Sequence, residues 1–240
     1  MPTKLAAATF LKDLHALRSA AQLKKTPRYF KSGPGDYAEG DEFIGVRMGD
    51  VFALAKKYVE MPLSEIEKLL ESPIHEARVG AVSIMDFQAR NQKTSDTRRQ
   101  ELFDLYLRRH DRINNWDLVD RSAPYVVGGY LFDKPRKILY QLARSKNIWE
   151  RRTAIVSTFY FIRQGDLEDT FKIAKLLVRD EHDLIHKAVG GWIREAGKKD
   201  PDRLLAFLDE HAAQMPRTML RYAIEHLNQK QRQHYLKLKA

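Results

Sequence analysis

The stretch Pro73-Ile74-His75-Glu76-Ala77-Arg78-Val79-Gly80-Ala81-Val82 reappears, with changed residues but the same pattern, as Asn147-Ile148-Trp149-Glu150-Arg151-Arg152-Thr153-Ala154-Ile155-Val156. The two lie 74 positions apart, which is two periods of 37. Placing Asp183 on Asn147, an offset of 36, brings Leu184, Lys187, Val189 and Gly190 onto Ile148, Arg151, Thr153 and Ala154. Helix pairs that recur at roughly 35–47 residues mark stacked helical repeats. The small residues Gly80, Ala154 and Gly190 would let neighbouring helices approach closely.

Outward from this repeat, helical pattern is nearly continuous. The spacing predicts helices over 3–23, 50–60, 63–71, 73–91, 94–110, 115–131, 134–144, 147–164, 166–179, 181–197, 200–213, 215–227 and 228–238. In the first of these, Leu5, Ala8, Leu11, Leu14 (or His15) and Arg18 sit at helical spacing. Breaks fall at Met61-Pro62, Ser72-Pro73, Lys134-Pro135, Gly197 and Asp200-Pro201, where proline and glycine stop helices. Residues 32–41, rich in glycine with one proline, read as a loop, either a plain connector or a rim beside a ligand groove. No run of alternating strand pattern interrupts the helices. The expectation is an all-α chain forming one domain over 1–240, an α-solenoid of HEAT-like repeats with a concave basic groove. Such a face suits a duplex or a protein ligand.

The chain has 240 residues, 43% hydrophobic and 31% charged, enough to bury a core. Lysine and arginine number 42 against 32 acids, a net charge of +10 that favours a polyanionic partner, nucleic acid ahead of a membrane surface. Cysteine is absent, which excludes disulfides, thiol catalysis and cysteine metal sites. The apolar run Leu5–Leu11 is broken by Lys12 and Asp13 and makes a poor signal peptide. No stretch approaches the roughly 18 apolar residues of a membrane span. A monomeric, cytoplasmic protein is expected.

Asn114-Asn115-Trp116-Asp117-Leu118-Val119-Asp120 reads as a helix start, with an asparagine pair able to cap free N–H groups and an acid in the first turn. Trp116 and Asp120, four apart, share one helix face. An indole beside a carboxylate favours cationic ligands; the plain alternative is a core tryptophan with an exposed aspartate. Arg151 and Arg152 open the helix that holds Trp149, and one of them can meet a phosphate at the helix start; otherwise they are a solvated charge run. Arg78 is the repeat equivalent of Arg152, so a row of arginines, extended by Lys187 and Arg194, is plausible on one face. His182 and His186 are four apart but lack a third ligand, which argues against a metal site. No P-loop, dinucleotide fingerprint or nucleophile elbow occurs. Asp117 and Asp120, three apart on one helix, do not face each other across a cleft as a glycosidase pair would.

These stretches resemble the DNA alkylation repair family, the AlkD-like DNA glycosylases built from HEAT-like repeats. The resemblance runs from about Thr26 to Asn228. It rests on Arg28-Tyr29-Phe30-Lys31, Trp116-Asp117-Leu118-Val119-Asp120, Trp149-Glu150-Arg151-Arg152-Thr153-Ala154-Ile155, Lys187-Ala188-Val189-Gly190 with Arg194-Glu195, and Arg217–Glu225. It implies a monofunctional glycosylase that hydrolyses the N-glycosidic bond of N3- or N7-alkylated purines in double-stranded DNA, without metal or cofactor. By the same resemblance Asp120 is the catalytic carboxylate and Trp116 packs on the lesion-bearing nucleotide. Arg152 aligns with a backbone-contacting arginine, and Tyr29 with an aromatic near the N-terminus. Family members are thought to act without drawing the damaged base into a deep pocket, and no Schiff-base lysine is expected.

One departure stands out. The family commonly carries a second active-site tryptophan directly after the Lys-Ala-x-Gly motif, where this chain has Gly191. Trp192 follows, turned by about 100° around the helix. Two other functions stay open: a catalytically silent DNA-binding protein and a protein-binding helical scaffold.

Overall fold

Three copies of the repeat sequence become the helices on which their neighbours pack. The computed structural model of the chain describes residues 5–238, in two compact units, one ending at Tyr130 and the other starting at Leu131. The first unit holds α1 (Ala7–Ala16), α2 (Ala20–Leu23), α3 (Met48–Lys57), α4 (Leu63–Leu70), α5 (His75–Arg90), α6 (Asp96–Arg108) and α7 (Trp116–Ser122). The second holds α8 (Lys137–Leu142), α9 (Ile148–Arg163), α10 (Glu168–Leu177), α11 (Asp183–Gly197), α12 (Pro201–His211), α13 (Arg217–Ala223) and α14 (Gln229–Lys237). The protein is all-α. Among the described residues the one extended pairing is an isolated parallel bridge between Glu42 and Ile74.

The repeat stretches are α5, α9 and α11. Apolar or small on most sides, α5 is buried along almost its whole length and packs against α3, α4, α6 and α7, as expected for a helix without a wide polar face. In the second unit α9 packs on α8, α10 and α11, and α11 also meets α12 and α13. The close approach expected at the small residues is present. A Cβ on Gly80 would sit 2.3 Å from the Phe10 ring of α1, and one on Gly190 would sit 2.4 Å from the Met219 carbonyl oxygen of α13.

The helices expected over 134–144 and 215–227 are shorter, at Lys137–Leu142 and Arg217–Ala223, and two others differ from the structure for local reasons. The helix expected over 3–23 begins, within the described residues, at Ala7; residues 3 and 4 lie outside them. It ends at Ala16, and Ser19 starts α2 by accepting the Gln22 N–H on its hydroxyl (3.4 Å) and donating its own N–H to the Gly45 carbonyl (3.1 Å). The buried stripe is Ala7, Phe10 and Leu14; Leu14 was expected, whereas Ala7 and Phe10 take the places expected of Ala8 and Leu11. The helix expected over 115–131 keeps α geometry only to Ser122, and Ala123–Gly129 continues as a π-helix. Pro124 has no N–H to return to the Asp120 carbonyl, so the i→i−4 ladder fails there and a wider turn takes over.

Adjacent glycines in α11 give a stability test of opposite sign. Gly190→Ala should cost about 1–3 kcal/mol, because the intruded atom is backbone and cannot rotate away. Gly191→Ala meets nothing within 4 Å and should stabilise by up to about 1 kcal/mol through helix propensity. Urea unfolding of the two variants beside the wild type checks both.

Candidate functional site

Trp116 and Asp120 stand on α7, and α7 is held to α5 at both ends. At its start, the Asn115 side-chain oxygen accepts the Trp116 N–H (2.8 Å) while its amide nitrogen donates to Asp41 (3.2 Å). Asp117 accepts the Leu118 N–H (2.9 Å) on one oxygen and a hydrogen bond from His75 Nε2 (2.8 Å) on the other. The other ring nitrogen of His75 bonds Asp41 at 3.3 Å, and Asp41 also pairs with Arg78. His75 is fully buried, with Phe30 and Phe43 each 4.9 Å from its ring. Burial alone would lower the His75 pKa, but the Asp117 charge, then the hydrogen bonds that His75 donates to Asp117 and Asp41, raise it to about 9. The buried ring is therefore an imidazolium near neutral pH, donating through both nitrogens. Burial opposes the charge of Asp41 too, yet hydrogen bonding from His75 and the Arg78 charge hold its carboxyl below the ordinary range.

At the other end, Arg121 follows Asp120 and points to α5. It donates to Ser83 Oγ (3.1 Å), lies 3.0 Å from the buried Asp86, and covers the Phe52 and Phe87 rings. Burial raises the Asp86 pKa against the opposing charges of Arg121 and Arg90. Between these two anchors, Asp120 is half-buried one turn along from Trp116 and immediately before the π-helical segment.

Trp116 is half-buried and stacks on Phe30 at 5.6 Å between ring centroids, 19° from parallel. It lines a cavity of about 220 Å³ together with Tyr29, Phe30 and Phe43. Tyr29 is 65% exposed, and its carbonyl accepts the Tyr37 hydroxyl (3.1 Å). Two of the residues singled out from sequence, Tyr29 and Trp116, thus share one wall. The back of the cavity is closed by residues 44–46, whose N–H groups converge on the Glu76 carboxylate, at 2.8 Å for Gly45. Gly45 has φ +77°, and a Cβ there would meet the Ser19 carbonyl at 2.4 Å, so only glycine fits that turn.

Two cations, Lys25 and Arg47, line this cavity. Residues 14–35 contain Arg18, Lys24, Lys25, Arg28 and Lys31 and no acid. These five and Arg47 are exposed and ion-pair with no carboxylate among the described residues. Most other arginines are engaged by the fold: Arg109 with Glu67, Glu71 and Asp111, Arg136 with Asp166 and Asp169, and Arg203 with Glu168.

Arg152 lies in the second unit. It is 7% exposed, and its Nη1 donates to the Leu184 carbonyl at the start of α11 (2.6 Å). Arg151 is bound by Asp180 (2.6 Å) and by the Ser145 and Lys146 carbonyls, so the pair is not a solvated run. Arg78, the repeat equivalent of Arg152, is 2% exposed. It belongs to the buried network and not to a phosphate-facing row. Lys187 pairs with Asp183, and Arg194 with Glu195 and Glu225. Trp192 is half-buried against Phe159 at 4.9 Å, while Gly191 opens onto free space. His182 caps α11 by accepting the Leu184 N–H (3.1 Å), and His186 bonds the Asp180 carbonyl. Among the described residues no group of three or more His, Asp or Glu is placed to hold a metal.

Sequence reasoning did not single out Asp41, His75 or Phe43 as parts of the site. Asp41 lies 34 positions from His75, and no local pattern announces such a pairing. The acid-free run over 14–35 is a signal that was available.

The family model for "DNA alkylation repair enzyme" matches residues 10–227. Among solved structures, one described as a predicted DNA alkylation repair enzyme from Enterococcus faecalis superposes with a TM-score of 0.69 at 17% identity. That match covers 88% of this chain and 97% of the other. No curated protein sequence matches.

The His75 clamp makes stability depend on pH in a defined sense. A histidine whose pKa is raised on folding, here to about 9, stabilises fully below its unfolded value near 6.5 and loses that contribution as pH rises through about 9. Thermal melts of the wild type should fall across this window. His75→Gln should be less stable at pH 6 and lack that part of the slope; equal slopes for the two would contradict the clamp.

Proposed function

The chain belongs to the DNA alkylation repair enzyme family, and from that premise we propose that it hydrolyses the N-glycosidic bond of N3- or N7-alkylated purines in duplex DNA. Asp120 is the catalytic carboxylate, and Trp116 with Tyr29 packs against the lesion-bearing nucleotide. The observation that carries the reading is the pairing of Trp116 with Asp120 on one face of a short helix clamped at both ends. The unpaired cations of residues 18–31 and Arg47 supply an electrostatic, sequence-independent attraction to the phosphate backbone. By the family resemblance Arg152, whose Nη1 donates to the Leu184 carbonyl, is the arginine that contacts the DNA backbone.

The chemistry asks little of the protein beyond this. An alkylpurine carries a formal positive charge and leaves without a general acid. What remains is to stabilise the cationic sugar and to place a water, and one carboxylate beside an aromatic wall does both. Asp117, the other acid of the stretch, is bound to His75 and to the Leu118 N–H and serves to hold the helix start. With no amine nucleophile in the scheme, the strand stays intact after base release.

A second reading, DNA binding without excision, is favoured by Gly191, where the family commonly carries a tryptophan and this chain has open space. Under it the wild type binds duplex with steep salt dependence and releases no base. Under the glycosylase reading, Asp120→Asn keeps its melting temperature and DNA affinity and loses roughly 10²-fold or more of single-turnover base release. Unchanged release by that variant would remove Asp120 from the mechanism.

A further inference from the structure

A second group of cations lies in the second unit, around an apolar groove. The groove holds about 740 Å³, within the range of roughly 300–1,000 Å³ over which clefts receive ligands. Met215 and Pro216, before α13, and Leu236 and Leu238, at the end of α14, give it apolar surface. Arg179, Arg217 and Lys237 stand among them, and no acid is among the residues that line it.

The register of the helices explains why this charge is left over. Along the seam between α10 and α12, Glu168 pairs with Arg203 and Lys175 with Glu210, each 35 positions apart. Arg179, one turn after Lys175, repeats the 35-residue step and meets Gln214, an amide where the seam elsewhere supplies a carboxylate. The amide oxygen accepts from Arg179 Nε (3.1 Å) and Nη2 (2.7 Å), which fixes the guanidinium without neutralising it. Arg217 is held in the same way, through Nη2 to the Leu236 carbonyl (2.8 Å). All three cations are exposed, and none ion-pairs with a carboxylate among the described residues. Residues 226–240 contain no acid, and the exposed Lys230 and Arg232 add to the positive field.

Guanidinium forks match carboxylates two bonds at a time, and arginine clusters read acidic motifs. An exposed apolar patch with a polar rim marks a protein contact. A duplex backbone would meet the cations with its phosphates but brings no apolar side chain to displace water from the walls. A peptide with an apolar side chain between carboxylates does both.

We propose that this groove docks an acidic segment of a partner protein, its carboxylates on Arg179 and Arg217 and an apolar side chain against Leu236 and Leu238. The proposal goes beyond the excision reading and does not depend on it.

Phage-displayed random dodecapeptides supply the probe, panned on the full chain with an Arg179→Glu, Arg217→Glu variant as the counter-selecting surface. Enriched sequences should share acids around a leucine, isoleucine or phenylalanine. The strongest of them, synthesised with a fluorophore, should lose about tenfold or more of its affinity in Arg179→Gln, the loss of one charge-assisted hydrogen bond. Leu238→Asp should weaken it similarly, and both variants should keep the melting temperature and duplex affinity of the wild type.

No enrichment over the counter-selecting surface would overturn the proposal, as would enriched sequences without acids or a peptide indifferent to both variants. Displacement of the peptide by duplex, together with lost duplex affinity in Arg179→Gln, would also overturn it and give these cations to the phosphate backbone. Base release by the wild type is measured apart from all of these, so the excision reading stands or falls by itself.

Discussion

A buried imidazolium between two carboxylates is the constraint on which the site depends. His75 sits without solvent exposure between Asp41 and Asp117, and its hydrogen bond, against the opposing effect of burial, holds the Asp41 carboxyl below the ordinary range. Removing one member of such a set leaves the others buried and uncompensated, which is why the arrangement is firm once formed. It fixes where α7 begins. The contact of Arg121 with Asp86 and Ser83 fixes where it ends, and Pro124 then denies the helix its next ladder bond. Asp120 lies in the short interval between these anchors, so its position follows from packing against α5 and not from a loop.

The same contacts build the cavity wall. Phe30 packs on His75 on one side and stacks on Trp116 on the other, and Phe43 packs on both Phe30 and His75. The charged ring at the back thus holds the apolar surface in front of it, and the Glu76 cradle holds residues 44–46 in the turn that closes the space. The cations around it differ from many of the chain's arginines. Arginines such as Arg109, Arg136 and Arg151 are neutralised by acids the fold brings to them. Those of residues 18–31 and Arg47 are not, and this places part of the net charge of +10 where a phosphate backbone can use it.

Much of this was legible in the residues. The repeated stretches became α5, α9 and α11, the proline and glycine breaks fell between helices or at their first or last residue, and Asn115 caps α7 as its type and place suggested. The rest depended on contacts that no local pattern carries. A serine in mid-pattern looks the same whether it caps a helix or lies within one, and only the Gly45 carbonyl settles that Ser19 starts α2. Repeat equivalence to Arg152 places Arg78 in a phosphate-facing row; both side chains are buried, Arg78 against an acid 37 positions away and Arg152 with a hydrogen bond to a carbonyl 32 positions away. The acid-free run over 14–35 was visible, but that its cations stay unpaired follows only from which carboxylates the folded chain leaves distant.

The central claim is that one carboxylate beside an aromatic wall suffices to release a base that is already cationic. The most direct measurement is mass analysis of the products after the purified protein meets duplex DNA with a single N7-methylguanine. The account predicts free N7-methylguanine together with a full-length strand bearing one abasic sugar. Intact, still-methylated duplex recovered from a saturated complex would contradict it.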